Sequence, residues 1–207
     1  MVDTEGCGDI AETLAVEVHG RDAEAAGSSW SSKYRSHFLH KLDPLGAAGM
    51  LRRMSAKPIP DGYSAITPYL VIEGAARAID FYKDIFGATE RMRMPAPNGR
   101  VGHAELAIGG SVIMLSDPCP EMKAFAPVPG ANAPMSLYLY VPDVDATVAR
   151  AVAAGATLTH PVETKFYGDR SGGIIDPFGH HWHLGTHVED VTPEEIQRRM
   201  AGMQKGG

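Results

Sequence analysis

A pattern that repeats inside the chain constrains its fold more than any other feature. The segment Tyr69–Ile72 is followed by a helical stretch that ends at Gly87, and the segment Tyr138–Val141 is followed by one that ends at Gly155. The offset between the copies is 69 residues at the first segments and 68 residues at the glycines. A repeat of this length indicates a duplicated unit of domain size.

Each copy begins with a short strand and an amphipathic helix. The first helix has apolar residues at i, i+3, i+4 and i+7, and Gly87 occupies the position of a left-handed C-cap. The second helix begins after Asp143, a favourable N-cap. Its predicted buried face consists of Val144, Val148, Ala151 and Val152.

Three further strands follow the helix in each copy. Apolar and polar residues alternate there between turns rich in Gly, Pro and Asn. The predicted strands are 88–94, 101–108 and 111–116, then about 156–166, 171–176 and 180–187. The predicted fold class is therefore α+β, with two βαβββ modules at about 63–118 and 134–190.

The two ends of the chain have different predicted roles. Residues 1–57 show no sustained periodicity, which predicts a disordered extension; a partner-binding arm is the alternative, and Met54 is a candidate natural start. The main domain is expected at 58–190. Residues 191–207 predict a short helix and tail, in which Thr192 and Glu195 form a capping box and the apolar face packs on the domain or on a partner chain.

Composition narrows the class of partner. A net charge of -6 provides no electrostatic attraction to nucleic acid or to an anionic membrane. The two cysteines, Cys7 and Cys119, form neither a disulfide framework nor a metal motif, and no apolar run approaches the roughly 18 residues of a membrane span. We expect a cytoplasmic protein whose partner is a small molecule.

The ordered motifs of the repeat resemble those of the vicinal-oxygen-chelate superfamily, which has the glyoxalase, bleomycin-resistance and dihydroxybiphenyl dioxygenase fold. Within it the chain looks like the PhnB-type proteins over about 130 residues. The resemblance implies that each module curls into a half-barrel, that two half-barrels enclose one site, and that the protein is a homodimer. Whether the modules pair within a chain or across a dimer stays open. The motifs are Thr67–Leu70, Ala78–Lys83, Gly102–Leu106, Tyr167–Arg170, Asp176–Gly179 and Thr186–Asp190.

The resemblance also locates the metal ligands of the metal-dependent relatives. These positions carry Thr67, Met114, Ser136 and His183 in this chain, and only His183 is a usual ligand of zinc, nickel or manganese. We therefore expect neither a glyoxalase-type metal centre nor glyoxalase I activity. A different divalent metal site at His181 and His183, which share one strand face, is the alternative.

Strand 101–108 predicts an ionisable pair in the cup, the space that the two half-barrels enclose. Ala104, Leu106 and Ile108 form its apolar face, so His103 and Glu105 point the other way. The pair either orients a ligand and transfers a proton, or only satisfies itself and its neighbours.

The same alternation predicts the wall of the cup. Arg170 has two interpretations, a structural ion pair or recognition of an anionic ligand. Two functions remain: a metal-free protein that binds a small, partly aromatic molecule, or an enzyme of lyase, isomerase or dioxygenase type that uses a metal or the His103–Glu105 pair. The wall candidates from alternation are Tyr69, Val71, Val112, Ser116, Tyr138 and Tyr140. The resemblance adds Met114, Ser136 and His183, and the segment Tyr167–Arg170, predicted to lie between strands, adds Tyr167 and Arg170.

Overall fold

The structure is a computed structural model that describes residues 57–128 and 135–203. The prediction of a disordered extension concerns residues that lie almost entirely outside these ranges. Among the residues described, no helix combines the length and the apolar character needed to cross a membrane.

Two copies of one βαβββ motif form the fold, which confirms the predicted class. The sheet orders are β1-β4-β3-β2 and β5-β8-β7-β6, and in each sheet the first and last strands of the module pair in parallel. The first module contains β1 (Tyr69–Val71), α1 (Ala75–Phe86), β2 (Thr89–Pro95), β3 (Val101–Ile108) and β4 (Ser111–Ser116). The second contains β5 (Ser136–Tyr140), α2 (Val144–Ala153), β6 (Thr157–Thr164), β7 (Asp169–Ile175) and β8 (His181–His187), and α3 (Pro193–Met203) follows.

The helix ends follow the local sequence. Gly87 has φ 66° and ψ 29°, the left-handed conformation that ends α1 without a Cβ penalty. At the start of α2, Asp143 Oδ1 accepts a hydrogen bond from the Ala146 amide at 2.9 Å. All six residues on the predicted stripe of α1 are buried: Ala75, Ala78, Ile79, Tyr82, Ile85 and Phe86.

The predicted face of α2 is wrong at one position. Val144, Val148 and Ala151 are buried, whereas Val152 is 42% exposed and Thr147 is buried instead. At about 100° per residue, Val152 lies roughly 90° around the helix from the centre of the buried face. The Thr147 hydroxyl donates to the Asp143 carbonyl at 2.7 Å, so its burial leaves no unpaired polar group.

A buried carboxylate connects the modules inside one core. The Tyr82 hydroxyl of α1 donates to Asp176 Oδ2 at 2.7 Å, and Trp182 Nε1 of β8 donates to the same oxygen at 2.9 Å. The amides of Phe178 and His180 donate to the other oxygen, at 3.0 and 2.9 Å. Burial, followed by the charge of Asp176, raises the pKa of Tyr82 well above its ordinary value. The modules therefore share aromatic packing and one hydrogen-bond network.

An ion pair joins the C-terminal helix α3 to the residues that follow β8. Thr192 Oγ1 accepts from the Glu195 amide at 3.3 Å, as the capping box predicts, but the Glu195 carboxylate binds Arg198 and Arg199. Arg199 also forms an ion pair with Glu189 at 2.7 Å. No residue of α3 is fully buried, and Ile196 on its apolar face is half-buried. Packing of this face on the domain or on a partner chain stays a prediction.

Candidate functional site

The face of the first sheet opposite the helices carries an ionisable pair. Ala104 and Leu106 of β3 belong to the apolar core, so the residues that alternate with them project from the other face. These are His103 and Glu105, each only 6% exposed. We call this side of each sheet the concave face.

His103 joins a tyrosine to a carboxylate. Its Nδ1 lies 3.2 Å from the Tyr69 hydroxyl, and its Nε2 lies 3.5 Å from Glu105 Oε1. A histidine placed between a hydroxyl and a carboxylate can pass a proton between them. The two candidate catalytic residues are therefore brought together, and Tyr69 joins them.

Two residues that the sequence did not predict cover Glu105. The Tyr63 hydroxyl donates to Glu105 Oε2, and this hydrogen bond is the main cause of the raised pKa of Tyr63. The Arg91 guanidinium lies 4.5 Å from the centre of the Tyr63 ring and 4.0 Å from Glu105 Oε2. Tyr63 comes from an irregular segment, and Arg91 lies at a register shift in β2. No periodicity in the sequence could therefore indicate their direction.

The concave face of the second sheet is built around Asp169, which is 5% exposed. Its Oδ2 accepts hydrogen bonds from the hydroxyls of Tyr138 and Tyr140, at 3.2 and 2.9 Å. Its Oδ1 lies 2.8 Å from His187 Nδ1, and His187 Nε2 lies 3.0 Å from Asp190 Oδ1. We call these five residues the Asp169 cluster.

Hydrogen bonding decides the charge of the cluster. Burial acts to raise the pKa of Asp169, but hydrogen bonds from His187, Tyr140 and Tyr138 outweigh it, and the pKa lies below its ordinary value. The pKa of His187 is raised by its hydrogen bonds to Asp169 and Asp190. Asp169 is therefore a carboxylate, and the two tyrosines are neutral donors.

Aromatic rings cover this carboxylate. The rings of Tyr138 and Tyr140 are 4.9 Å apart, and His183 lies nearly parallel to Tyr138 at 6.3 Å. Tyr138 lies directly over Gly185, where an added Cβ would come within 3.0 Å of Tyr138 Cζ. A glycine at this position is what allows the Tyr138 hydroxyl to reach Asp169.

A cleft of about 390 Å³ runs along the edge strand β5 and connects the modules. This volume lies within the range of small-molecule sites. Tyr138 and Tyr140 belong to its wall, and they are 46% and 61% exposed. The other lining residues are Ser64, Ile66, Pro68, Ile108–Ile113, Leu137, Leu139 and Trp182.

The remaining predicted site residues occupy different surroundings. Met114 is half-buried and lies opposite both Tyr69 and Glu105 in the sheet, while Ser136 is exposed and pairs with His181. Tyr167 is exposed beside Phe166. Val71 is half-buried and Val112 and Ser116 are buried.

Arg170 is engaged away from the Asp169 cluster. Its Nε and Nη2 donate to the two Asp145 oxygens at the start of α2, both at 2.6 Å. Arg170 is next to Asp169 in β7, and adjacent strand residues project to opposite faces. We therefore leave Arg170 out of the proposed site.

The donor set does not fit a glyoxalase-type metal. The Thr67 hydroxyl donates to the Ser64 carbonyl at 3.1 Å, and the other positions offer a thioether, an exposed serine and His183. His181 and His183 do share one face of β8. Within 57–128 and 135–203, however, no group of three or more His, Cys, Asp or Glu side chains is arranged to hold a metal ion. A divalent transition metal needs three or more such donors.

The chain is similar to several known proteins and solved structures. An uncharacterized protein of Mycobacterium tuberculosis, Rv0887c, is 44% identical over 145 residues, which cover 69% of this chain and 85% of the relative. Among solved structures, TioX from Micromonospora sp. ML1 is 28% identical with a TM-score of 0.46. The match covers 62% of this chain and 100% of the TioX chain. The PhnB protein from Bacillus cereus is 22% identical with a TM-score of 0.48. The match covers 59% of this chain and 99% of the PhnB chain.

The family model of the glyoxalase/bleomycin resistance protein/dioxygenase superfamily matches residues 66–184. The matched range spans both modules, from the residues before β1 to the middle of β8. With its duplicated βαβββ architecture, the chain belongs to the glyoxalase/bleomycin resistance protein/dioxygenase superfamily.

Proposed function

We propose that the protein binds a small organic molecule on the concave faces of its two modules, without a glyoxalase-type metal centre. The supporting observation is that ionisable groups are buried on the faces opposite the helices: His103 and Glu105 in the first sheet and Asp169 in the second. Burying such groups costs free energy that apolar packing would not. The pKa of Asp169 lies below its ordinary value, and buried ionisable groups with shifted pKa values are typical of binding and active sites.

A second copy of the chain completes this site in our proposal. A single chain leaves Tyr138 and Tyr140 about half open to solvent, although their hydroxyls are fixed on Asp169. A homodimer would cover these rings and exclude water from the ligand. Light scattering should therefore give a mass near twice the 22.1 kDa of the chain, and a monomer at micromolar concentration would contradict the dimer.

Two measurements on protein purified without an affinity tag test the binding proposal. Metal analysis should give well under one transition metal per chain, and a stoichiometric metal would overturn the metal-free part. In a screen of small aromatic molecules followed by NMR, ligands should shift the resonances of His103, Tyr138 and Tyr140. Shifts confined to the outer faces of α1 and α2 would contradict the site.

An acid–base enzyme is the second candidate, and the Tyr69–His103–Glu105 contacts favour it. A ligand with an acidic C–H bond would exchange its proton with deuterated solvent if His103 and Glu105 act as a base. Glu105→Gln should abolish this exchange while the ligand still binds. Glu163→Gln, which changes an exposed carboxylate bound to Lys165, is the matched control.

A further inference from the structure

The side chains of Tyr138 and Tyr140 are 46% and 61% exposed, although their hydroxyls are bound to a buried group. Both hydroxyls donate to one oxygen of the buried Asp169 carboxylate. The hydroxyls are therefore already engaged, and what remains for a ligand is the aromatic surface of two tilted rings whose centroids are 4.9 Å apart. Aromatic faces attract apolar groups or cations and repel anions.

The hydrogen bonds to Asp169 favour a cation over a neutral group. A phenol that donates to a carboxylate shifts electron density toward its oxygen and ring, which makes the face more negative. The raised pKa of Tyr140, caused first by its hydrogen bond to Asp169, has the same origin. The buried charge behind the rings acts in the same direction, since a low-dielectric environment screens it weakly.

The charge balance of the Asp169 cluster is negative. Two carboxylates, Asp169 and Asp190, contact one imidazole, His187, in the part of the chain that the structure describes. Even a protonated His187 leaves one negative charge uncompensated within the cluster. Arg170, the next residue in β7, is neutralised by Asp145 and does not contact the cluster.

The cleft supplies the apolar part of the site. Tyr138 and Tyr140 form its wall together with Leu137, Leu139 and Ile66. We infer that the site takes an organic cation, with an amine or quaternary ammonium group over the faces of Tyr138 and Tyr140 and an apolar body in the cleft along β5. This inference rests on the proposed function and names its ligand class.

Two probes of the same shape separate the contribution of the ligand's charge to binding from that of its shape and apolar surface. The cation 4-hydroxy-N,N,N-trimethylanilinium and the neutral 4-tert-butylphenol differ in a nitrogen and its charge, and NMR titration at about pH 6.5 gives the dissociation constant of each. We expect both to shift the ring resonances of Tyr138 and Tyr140, with the cation binding roughly 3- to 30-fold tighter. Equal or tighter binding of the neutral probe would overturn the inference and leave the proposed function standing. If neither probe shifts any concave-face resonance at millimolar concentration, both fail.

Variants assign the preference to the cluster. Asp169→Asn should bring the ratio of the two dissociation constants close to one, with little change for the neutral probe. Asp84→Asn makes the same charge change on the exposed face of α1 and should leave the ratio unchanged. Because Asp169 is buried, Tyr140→Leu at a more exposed position provides a second variant that folds, and it should also reduce the ratio. A ratio unaffected by Tyr140→Leu would refute the assignment.

Discussion

Replacing Tyr82 with phenylalanine removes one hydroxyl from the centre of the shared core. The hydroxyl is 2.7 Å from Asp176 Oδ2, and the tyrosine is completely buried. Hydrogen bonds to charged groups contribute about 1.5–3 kcal/mol. Asp176 keeps three donors after the change, so no buried charge is left unpaired. We expect the free energy of unfolding to fall by about 1.5–3 kcal/mol, which lowers Tm by roughly 3–12 °C.

Urea unfolding followed by far-UV circular dichroism measures this change. Asp176→Ala should cost more than about 3 kcal/mol, because it leaves Tyr82, Trp182 and two backbone amides without their acceptor and each unsatisfied buried donor costs about 1–3 kcal/mol. Tyr167→Phe is the matched control, since its exposed side chain should contribute less than about 0.5 kcal/mol to stability. A loss below about 0.5 kcal/mol for Tyr82→Phe would refute the claim that this hydroxyl joins the two modules.

Three further changes test the second module. Gly185→Ala should push Tyr138 away from Asp169 and destabilise the fold by about 1–3 kcal/mol in urea unfolding; an unchanged midpoint would contradict the close contact. The pKa of His187 is raised in the folded protein. Protonated His187 therefore contributes fully to the free energy of unfolding below pH 6.5, its ordinary pKa, and this contribution is lost as the pH rises through the raised pKa. The difference in urea midpoint between wild type and His187→Gln should therefore shrink from about pH 6 to about pH 9, and a constant difference would argue against the ion pair. Asp143→Ala should cost about 1 kcal/mol in thermal unfolding and Asp143→Ser much less, because serine also caps a helix.

The sequence predicts the architecture because repetition and alternation act through backbone geometry. The strand 101–108 is observed with the predicted bounds, and its parity alone separates Ala104 from His103 and Glu105. Val152 shows the limit of this reasoning. Its apolar character suggested burial, but the angle around the helix decides which residues reach the core, and Thr147 takes the position.

The site was less predictable because its contacts join distant segments. Tyr63 reaches Glu105 across 42 residues, and the Asp169 cluster combines β5, β7, the end of β8 and one residue after it. Asp169 and Arg170 precede the predicted strand 171–176 but belong to β7, so alternation could not indicate which of them faces the site. Only the three-dimensional arrangement shows that one faces the tyrosines and the other binds Asp145.

The aromatic contact between α1 and β8 has a consequence for synthesis on the ribosome. The ring centroids of Phe86 and Trp182 are 4.8 Å apart, but Trp182 is translated 96 residues after Phe86. At a translation rate of about 5–20 residues per second, the apolar face of α1 stays exposed for roughly 5–20 s before Trp182 is synthesised. A nascent chain that stalls in the first module presents this face to chaperones and to neighbouring nascent chains.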